Sequence, residues 1–265
     1  MKHKCLSQEA LKLIACTTML IDHIGFTLVL RYMQSVPGVN PNIMMLYNVM
    51  RFIGRIAFPI YCFLLVEGTH HTRNPKNYGL RLCVGMLLSE IPFDLAFSFR
   101  GFVPFDWTHN SVMVTLLLGF LMIQCMMRTK GVWKVVVILP FYILAEVLHT
   151  DYDGVGILMI ALFALIREVK HENLLRIIGC AVVLCSGMRN MQIFGIWINS
   201  ESFAMLALIP IFCYDGRKLT NSKAVQLAFY LFYPVHILAN PFIDDLLSEN
   251  HIFQQCEYQN MNRVE

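Results

Sequence analysis

The stretch LKLIACTTMLIDHIGFTLVL, residues 11–30, decides the fold. Twenty mostly apolar residues make a helix about 30 Å long, the thickness of a bilayer's hydrocarbon core. The stretch nevertheless carries Lys12, Asp22 and His23. A charged group at the centre of a membrane helix costs about 2.5 to 3.5 kcal/mol on insertion scales, so an intramembrane Asp-His pair marks a functional site. Lys12 and His23 are 11 residues apart. At about 100° per residue they return to within roughly 20° of one face, about 16 Å apart along the axis. One face of this helix offers a cation near its start and an imidazole deep inside. Read structurally instead, Lys12 snorkels at the helix end and His23 faces a bundle neighbour that satisfies it.

The rest of the chain agrees with a membrane reading. Of its 265 residues 57% are hydrophobic and 15% charged, with a mean hydropathy of +0.56. Soluble domains average about 25% charged residues, so the composition describes an integral membrane protein of one domain, residues 1–265, without a sizeable aqueous part. The basic start MKHKCLSQEA leads into a charge-bearing helix with no small-residue cleavage site and reads as retained. The net charge of +3 is explained by cytoplasmic loops and calls for no nucleic-acid partner. Nine cysteines occur without a Cys-x-x-Cys pair, mostly in apolar runs, where they serve as small packing groups.

Nine spans follow, at about 9–31, 43–67, 77–99, 109–128, 132–149, 153–167, 172–188, 197–214 and 223–244, ahead of a polar, frayed tail at about 245–265. Loops after the even-numbered spans hold twelve lysines and arginines, among them Arg73, Lys76, Arg81, Arg167, Lys170, Arg217 and Lys218. Those after the odd-numbered spans hold three, Arg31, Arg100 and Arg189, and the tail adds Arg263. By the positive-inside rule the N-terminus is cytoplasmic. The predicted fold is an all-α polytopic transmembrane bundle of about nine helices. Pro59, Pro92, Pro140, Pro210 and Pro234 interrupt spans and free carbonyls that a hydrated interior would satisfy. No internal repeat or inverted symmetry is visible.

At about 1.5 Å per residue the polar groups converge on one depth. His23 lies about 20 Å from the cytoplasmic edge and His236 about 20 Å from Lys223, while Arg51 and Arg55 share a face of the second span. Glu90 and Asp94 flank Pro92 one turn apart; His109 and Asn110 open the fourth span and Asp153 the sixth. As structure alone, Arg51, Arg55, Glu90 and Asp94 form a buried ion-pair network, and Asp153 is an interfacial helix cap. His70 and His71 read as a solvated helix end. No His-Glu-x-x-His spacing, phosphate-cradling glycine loop or Gly-x-Ser-x-Gly elbow occurs, so no metal is expected.

The segments LIDHIG at 20–25, RFIGRIAFPIYCFLLVEGTHHT at 51–72, SEIPFDLAF at 89–97, HNSVMVTLLLGF at 109–120, YDGVGILMIALF at 152–163 and FYPVHILA at 232–239 together resemble the TraX family, named for an inner-membrane acetylase of conjugative pilin. A more distant likeness is to the family-three membrane acyltransferases. Lys12-x10-His23 resembles their Arg-x10-His signature, FPIYCFLLVEG their Phe-Phe-x-x-Ser-Gly helix, Arg81 the start of a basic cluster, and Tyr233-x-x-His236 a late Tyr-x-x-His. Lysine stands for arginine at Lys12 and Glu67-Gly68 for Ser-Gly, and no appended hydrolase-like domain is present.

These resemblances imply acetyl transfer at a bacterial cytoplasmic membrane, from cytoplasmic acetyl-CoA as co-substrate to a pilin-like N-terminal amine or a cell-surface glycan hydroxyl on the outer side. Lys12, Arg73, Lys76 and Arg81 would meet the phosphates of the donor. His23 would serve as general base or nucleophile, with Asp22 paired to Arg55 or another cation and Arg55 polarising the thioester. Glu90, Asp94, His109, Asn110, Asp153 and His236 would serve the acceptor side. Two other readings use the same residues: a secondary transporter with a midplane His/Asp/Arg site, and a structural component of a secretion or conjugation apparatus.

Overall fold

The structure, a computed structural model, describes residues 5–239 apart from 37, 39, 98–108, 168, 170–171, 187–189, 194–195 and 221. Arg100, Lys170, Arg189, Arg263 and the tail expected to fray lie outside the described residues. What is described is helical except for one small hairpin. In chain order the helices are α1 (Gln8–Ser35), α2 (Pro41–His71), α3 (Pro75–Phe97), α4 (Val112–Met126), α5 (Trp133–Val136 and Ile138–Val147), α6 (Asp153–Ile166), α7 (Glu172–Ser186), α8 (Ser200–Phe212) and α9 (Lys223–Ala239).

By length and composition α1 and α2 are long and apolar enough to cross a membrane. Nine spans of about 15 to 25 residues are expected from the sequence; among the described residues α4, α6 and α8 are apolar helices of 10–17 residues, and α9 is described only as far as Ala239. Two of these are shortened by polar ends. Ser111 precedes α4 and holds Glu90 with its hydroxyl, donating to Oε1 at 2.7 Å. The eighth span, expected from residue 197, begins instead as a strand: β1 (Asn190–Ile193) pairs antiparallel with β2 (Ile196–Asn199). The run NMQIFGIWIN is rich in β-branched and aromatic residues, which suit a pleated pair better than a helix start. Asn199 then opens α8 by accepting a hydrogen bond from the Glu201 amide at 2.9 Å, and the first eight residues of α8 are wound as a 3-10 helix.

The second half of α2, Ala57–His71, is the centre of the molecule. It packs against α1, α4, α6 and α8, and Ala57, Phe58, Pro59, Ile60, Cys62, Phe63, Leu64, Leu65, Val66 and Thr69 are all buried. A helix apolar on nearly every side suits this central position. Its join to the first half is bent at Arg55 and Ile56, whose amides reach only three residues back, to Phe52 and Ile53. Pro59 is the cause: its ring excludes the carbonyl four residues earlier, that of Arg55, from a regular turn.

Two sets of backbone contacts fix the ends of the bundle. Around the start of α1, Cys5 and Leu6 donate to Cys213, Gln8 to Arg217, and Asp215 back to Leu6. Glu9 accepts from Leu219 at 2.8 Å. The loop between α8 and α9 therefore lies beside the first turn of α1. At the far end Asn110, before α4, donates to His149 through its amide and to Leu148 through its side chain. α2 and α6 end together, where Arg167 Nε donates to Glu67 Oε1 at 2.8 Å. Each of these pairings agrees with helices that alternate in direction.

Candidate functional site

Residues spaced 0, 4, 7 and 11 along a helix share one stripe, and on α1 these are Lys12, Cys16, Met19 and His23. The stripe borders two cavities. One, of about 340 Å³, is lined by Lys12, Cys16 and Met19 together with Arg81, Lys218, His71 and a mostly apolar remainder including Leu64, Leu65, Phe229 and Tyr230. The other, of about 140 Å³, is lined by Met19, Asp22 and His23 with Arg51, Arg55, Tyr61, His109, Asp151 and Tyr152. Met19, Tyr61 and Val112 line both, so the two cavities meet end to end along α1.

His23 is oriented by a second histidine. His236 donates from Nδ1 to the Phe232 carbonyl at 2.6 Å, since a carbonyl can only accept. In the neutral ring its Nε2 is then an acceptor, and His23 donates to it from Nδ1 at 2.7 Å. The two rings are stacked at 4.9 Å and 8°. This chain fixes the tautomer of His23 and puts the basic lone pair on Nε2. Immediately after His23, residues Gly25–Val29 form a π-helical turn, a local widening common at functional sites. Thr27 braces the turn by donating to the His23 carbonyl at 2.7 Å.

Beside the histidine lies a network of two carboxylates and two guanidiniums. Arg51 Nη1 donates to Asp22 Oδ2 at 2.6 Å, Arg55 Nη2 stands 3.6 Å from Asp22 Oδ1, and Arg55 Nη1 donates to Glu201 Oε1 at 3.2 Å. With all four groups ionised the set is neutral, which is what permits such burial. α1 approaches α2 this closely because residue 54 is glycine; a Cβ there would collide with the Asp22 side chain. Phe26 packs under the Arg51 guanidinium at 4.9 Å, and at the mouth His109 Nε2 stands 3.7 Å from Asp151 Oδ1.

Of the residues singled out from sequence, Asp22, His23, Arg55 and His109 border the smaller cavity and Lys12 and Arg81 the larger. Arg73 and Lys76 are exposed at the α2–α3 junction and border neither among the described residues. Glu90, Asp94 and Asn110 are buried behind the cavity wall. Glu90 holds Ser111, and Asn110 joins the start of α4 to the end of α5. Asp153 also stands off the wall, at a left-handed φ of 44° as the first residue of α6, and its neighbours Asp151 and Tyr152 line the cavity. His236 sits behind His23 and contacts it directly. The closest cation to Asp22 is Arg51, with Arg55 the looser partner. Sequence reasoning did not assign a role to Glu201, Asp151, Tyr61 or Lys218; Lys218 left a trace among the basic residues that oriented the chain, and Tyr61 lies within the quoted segment at 51–72.

Fold and site together define a helical protein whose two adjoining chambers, one with a cationic rim and one built round a histidine pair, share a single helix face. The chain belongs to the TraX family: the TraX protein family matches residues 7–243. It is also similar to a probable fimbrial assembly protein FimC, serogroup H1, of Dichelobacter nodosus, at 27% identity over 201 residues covering 72% of this chain and 81% of that protein. No solved structure matches the chain.

Proposed function

We propose that this protein is a multi-pass membrane acetyltransferase, moving an acetyl group from acetyl-CoA in the Lys12 chamber to an amine or hydroxyl in the His23 chamber. The single observation that carries this reading is the arrangement of α1: a cation-rimmed chamber and a histidine chamber abut along one stripe. A donor and an acceptor that enter from opposite ends can meet only there. Family membership and the fimbrial relative support a pilus-type peptide terminus as acceptor.

The membrane setting is supported by what faces outward. Leu80, Val84, Leu87, Leu88 and Ile91 form an exposed stripe along α3, and Leu139, Ile143, Leu144 and Val147 another on α5. Contiguous apolar surface of this kind is a liability in water and a requirement in lipid. Lys12, Arg81 and Lys218 suit the donor's phosphates as charge-assisted partners, and Phe229 and Tyr230 give its adenine an aromatic wall.

In the transfer, the acceptor nitrogen or oxygen attacks the thioester carbon, forming a C–N or C–O bond while the C–S bond breaks. His23 Nε2 takes the proton shed by the acceptor and returns it to the thiolate, giving CoA thiol and the acetylated product. The Arg55 guanidinium, held by Asp22 and Glu201, is the group placed to stabilise the oxyanion. The test is thiol release from acetyl-CoA by purified, detergent-solubilised protein, with a panel of short peptides bearing free α-amines and of monosaccharides. Release that needs an acceptor and is lost in His23→Ala is expected. Equal release by the variant would remove His23 from the chemistry, and no acceptor-dependent release from folded wild type would overturn the reading.

A further inference from the structure

Among the described residues the two chambers share three lining side chains from three helices: Met19 of α1, Tyr61 of α2 and Val112 at the first turn of α4. Tyr61 is tethered, its hydroxyl 3.2 Å from the Cys16 thiol on the same α1 stripe. Val112 is β-branched and stiff. Met19, unbranched and with three rotatable side-chain bonds, is the movable member. For the acyl carbon to reach an acceptor activated by His23, the acyl group must pass into or through this wall. Beyond it lies only about 140 Å³, which must also hold the reacting end of the acceptor.

We infer that Met19, Tyr61 and Val112 form a partition that limits the transferred group to the shortest acyl chains. The inference rests on the acyl-transfer reading for its chemistry, and on the shared lining of the two cavities for its geometry. The larger chamber, about 340 Å³ and apolar over much of its wall, accommodates longer chains on the donor side. Selection therefore falls at the partition and not at donor binding. An acyl chain of four or more carbons binds as its CoA thioester but transfers poorly.

The experiment compares acetyl-CoA with butanoyl-CoA and octanoyl-CoA in the thiol-release assay, for wild type, Met19→Ala and Val112→Ala. In a pocket that reads single methylenes, each step is worth about tenfold or more. Butanoyl is two methylenes longer than acetyl, so wild type is expected to prefer acetyl by about a hundredfold or more, with similar binding of both, and Met19→Ala to lose most of that preference. Wild-type turnover with an unchanged chain-length profile in both variants would overturn the partition. A second measurement does not depend on turnover. Sealed vesicles of defined orientation are treated from either side with membrane-impermeant methanethiosulfonate ethylsulfonate, and modification of Cys16 is read by peptide mass. Labelling only from the Lys12 side in wild type, and from both sides in Tyr61→Ala, supports the partition even if acetyl-CoA is not turned over. Labelling of wild type from both sides refutes it. Failure of the acyl-transfer reading thus shows as absent turnover, and failure of the partition as two-sided labelling or an unchanged profile.

Discussion

Replacing His236 by alanine removes the acceptor that fixes the His23 tautomer. In the resting site the bond from His23 Nδ1 to His236 Nε2, at 2.7 Å, joins two neutral groups, a net contribution of about 0.5 to 1.5 kcal/mol. When His23 takes the acceptor's proton it becomes an imidazolium, and the same bond gains charge on its donor. Bonds to charged groups are worth about 1.5 to 3 kcal/mol. The difference, about 1 to 1.5 kcal/mol, is present only once the proton has moved. Loss of tautomer control adds to it, since the tautomer with its proton on Nε2 has its basic lone pair on Nδ1 and presents a donor, not a base, at Nε2. His236→Ala is therefore expected to lower kcat by about ten- to a hundredfold while leaving KM for acetyl-CoA within about twofold. His236→Gln, which keeps an acceptor oxygen, should recover part of the loss. Steady-state thiol release across an acetyl-CoA series separates the two parameters. A kcat for His236→Ala within twofold of wild type, or a change confined to KM, would refute the relay and leave the stacked rings as packing.

Two further expectations follow from the charged groups. Asp22→Asn leaves the Arg51 and Arg55 guanidiniums with Glu201 as their one remaining carboxylate in the network and should cost about 3 to 5 kcal/mol. The double variant Asp22→Asn with Arg51→Met restores neutrality and should regain most of it; thermal unfolding in detergent measures both, and equal losses would show that charge balance is not what holds the cluster. Lys12→Ala and Lys218→Ala should each raise KM for acetyl-CoA by about tenfold with a weaker salt dependence, whereas Arg73→Ala and Lys76→Ala, whose side chains stand away from the cavity, should leave it unchanged.

Much of the site could be read from one helix. A 3.6-residue period is enough to put Lys12 and His23 on one face, and depth counting is enough to bring His236 level with His23. Partner choice was not legible in the same way. Arg51 and Arg55 lie one turn apart on one face, and which of them closes on Asp22 is decided by the bend at Arg55–Ile56 and the missing Cβ of Gly54, both tertiary outcomes. Glu201 was hidden because its span begins as a hairpin, which displaces the apolar period that would have placed it on a face. Asp153 stands out in the sequence because it opens an apolar run, yet the cavity is lined by the two residues before it, Asp151 and Tyr152. Lys218 belongs to a loop whose position is set by backbone hydrogen bonds to residues 5–8, a contact with no periodic signal. Glu90 and Asn110 are drawn from the cavity by nearer structural partners, Ser111 before α4 and the His149 and Leu148 carbonyls at the end of α5.

The stitching of the first turn of α1 to the loop before α9 also sets an order of events. Glu9 and the amide it holds on Leu219 are 210 residues apart. At ordinary synthesis rates of about 5 to 20 residues per second, the first helix exists for roughly 10 to 40 s before its partner loop is made. Throughout that interval Lys12 faces a chamber that lacks Lys218, Phe229 and Tyr230, and His23 lacks His236. Neither chamber can be complete in a nascent chain, so a ribosome-bound fragment has neither the full cationic rim nor a His23 held by its histidine partner. Closure of the bundle and acquisition of the site are one late, long-range step, with the slow kinetics that such contacts impose.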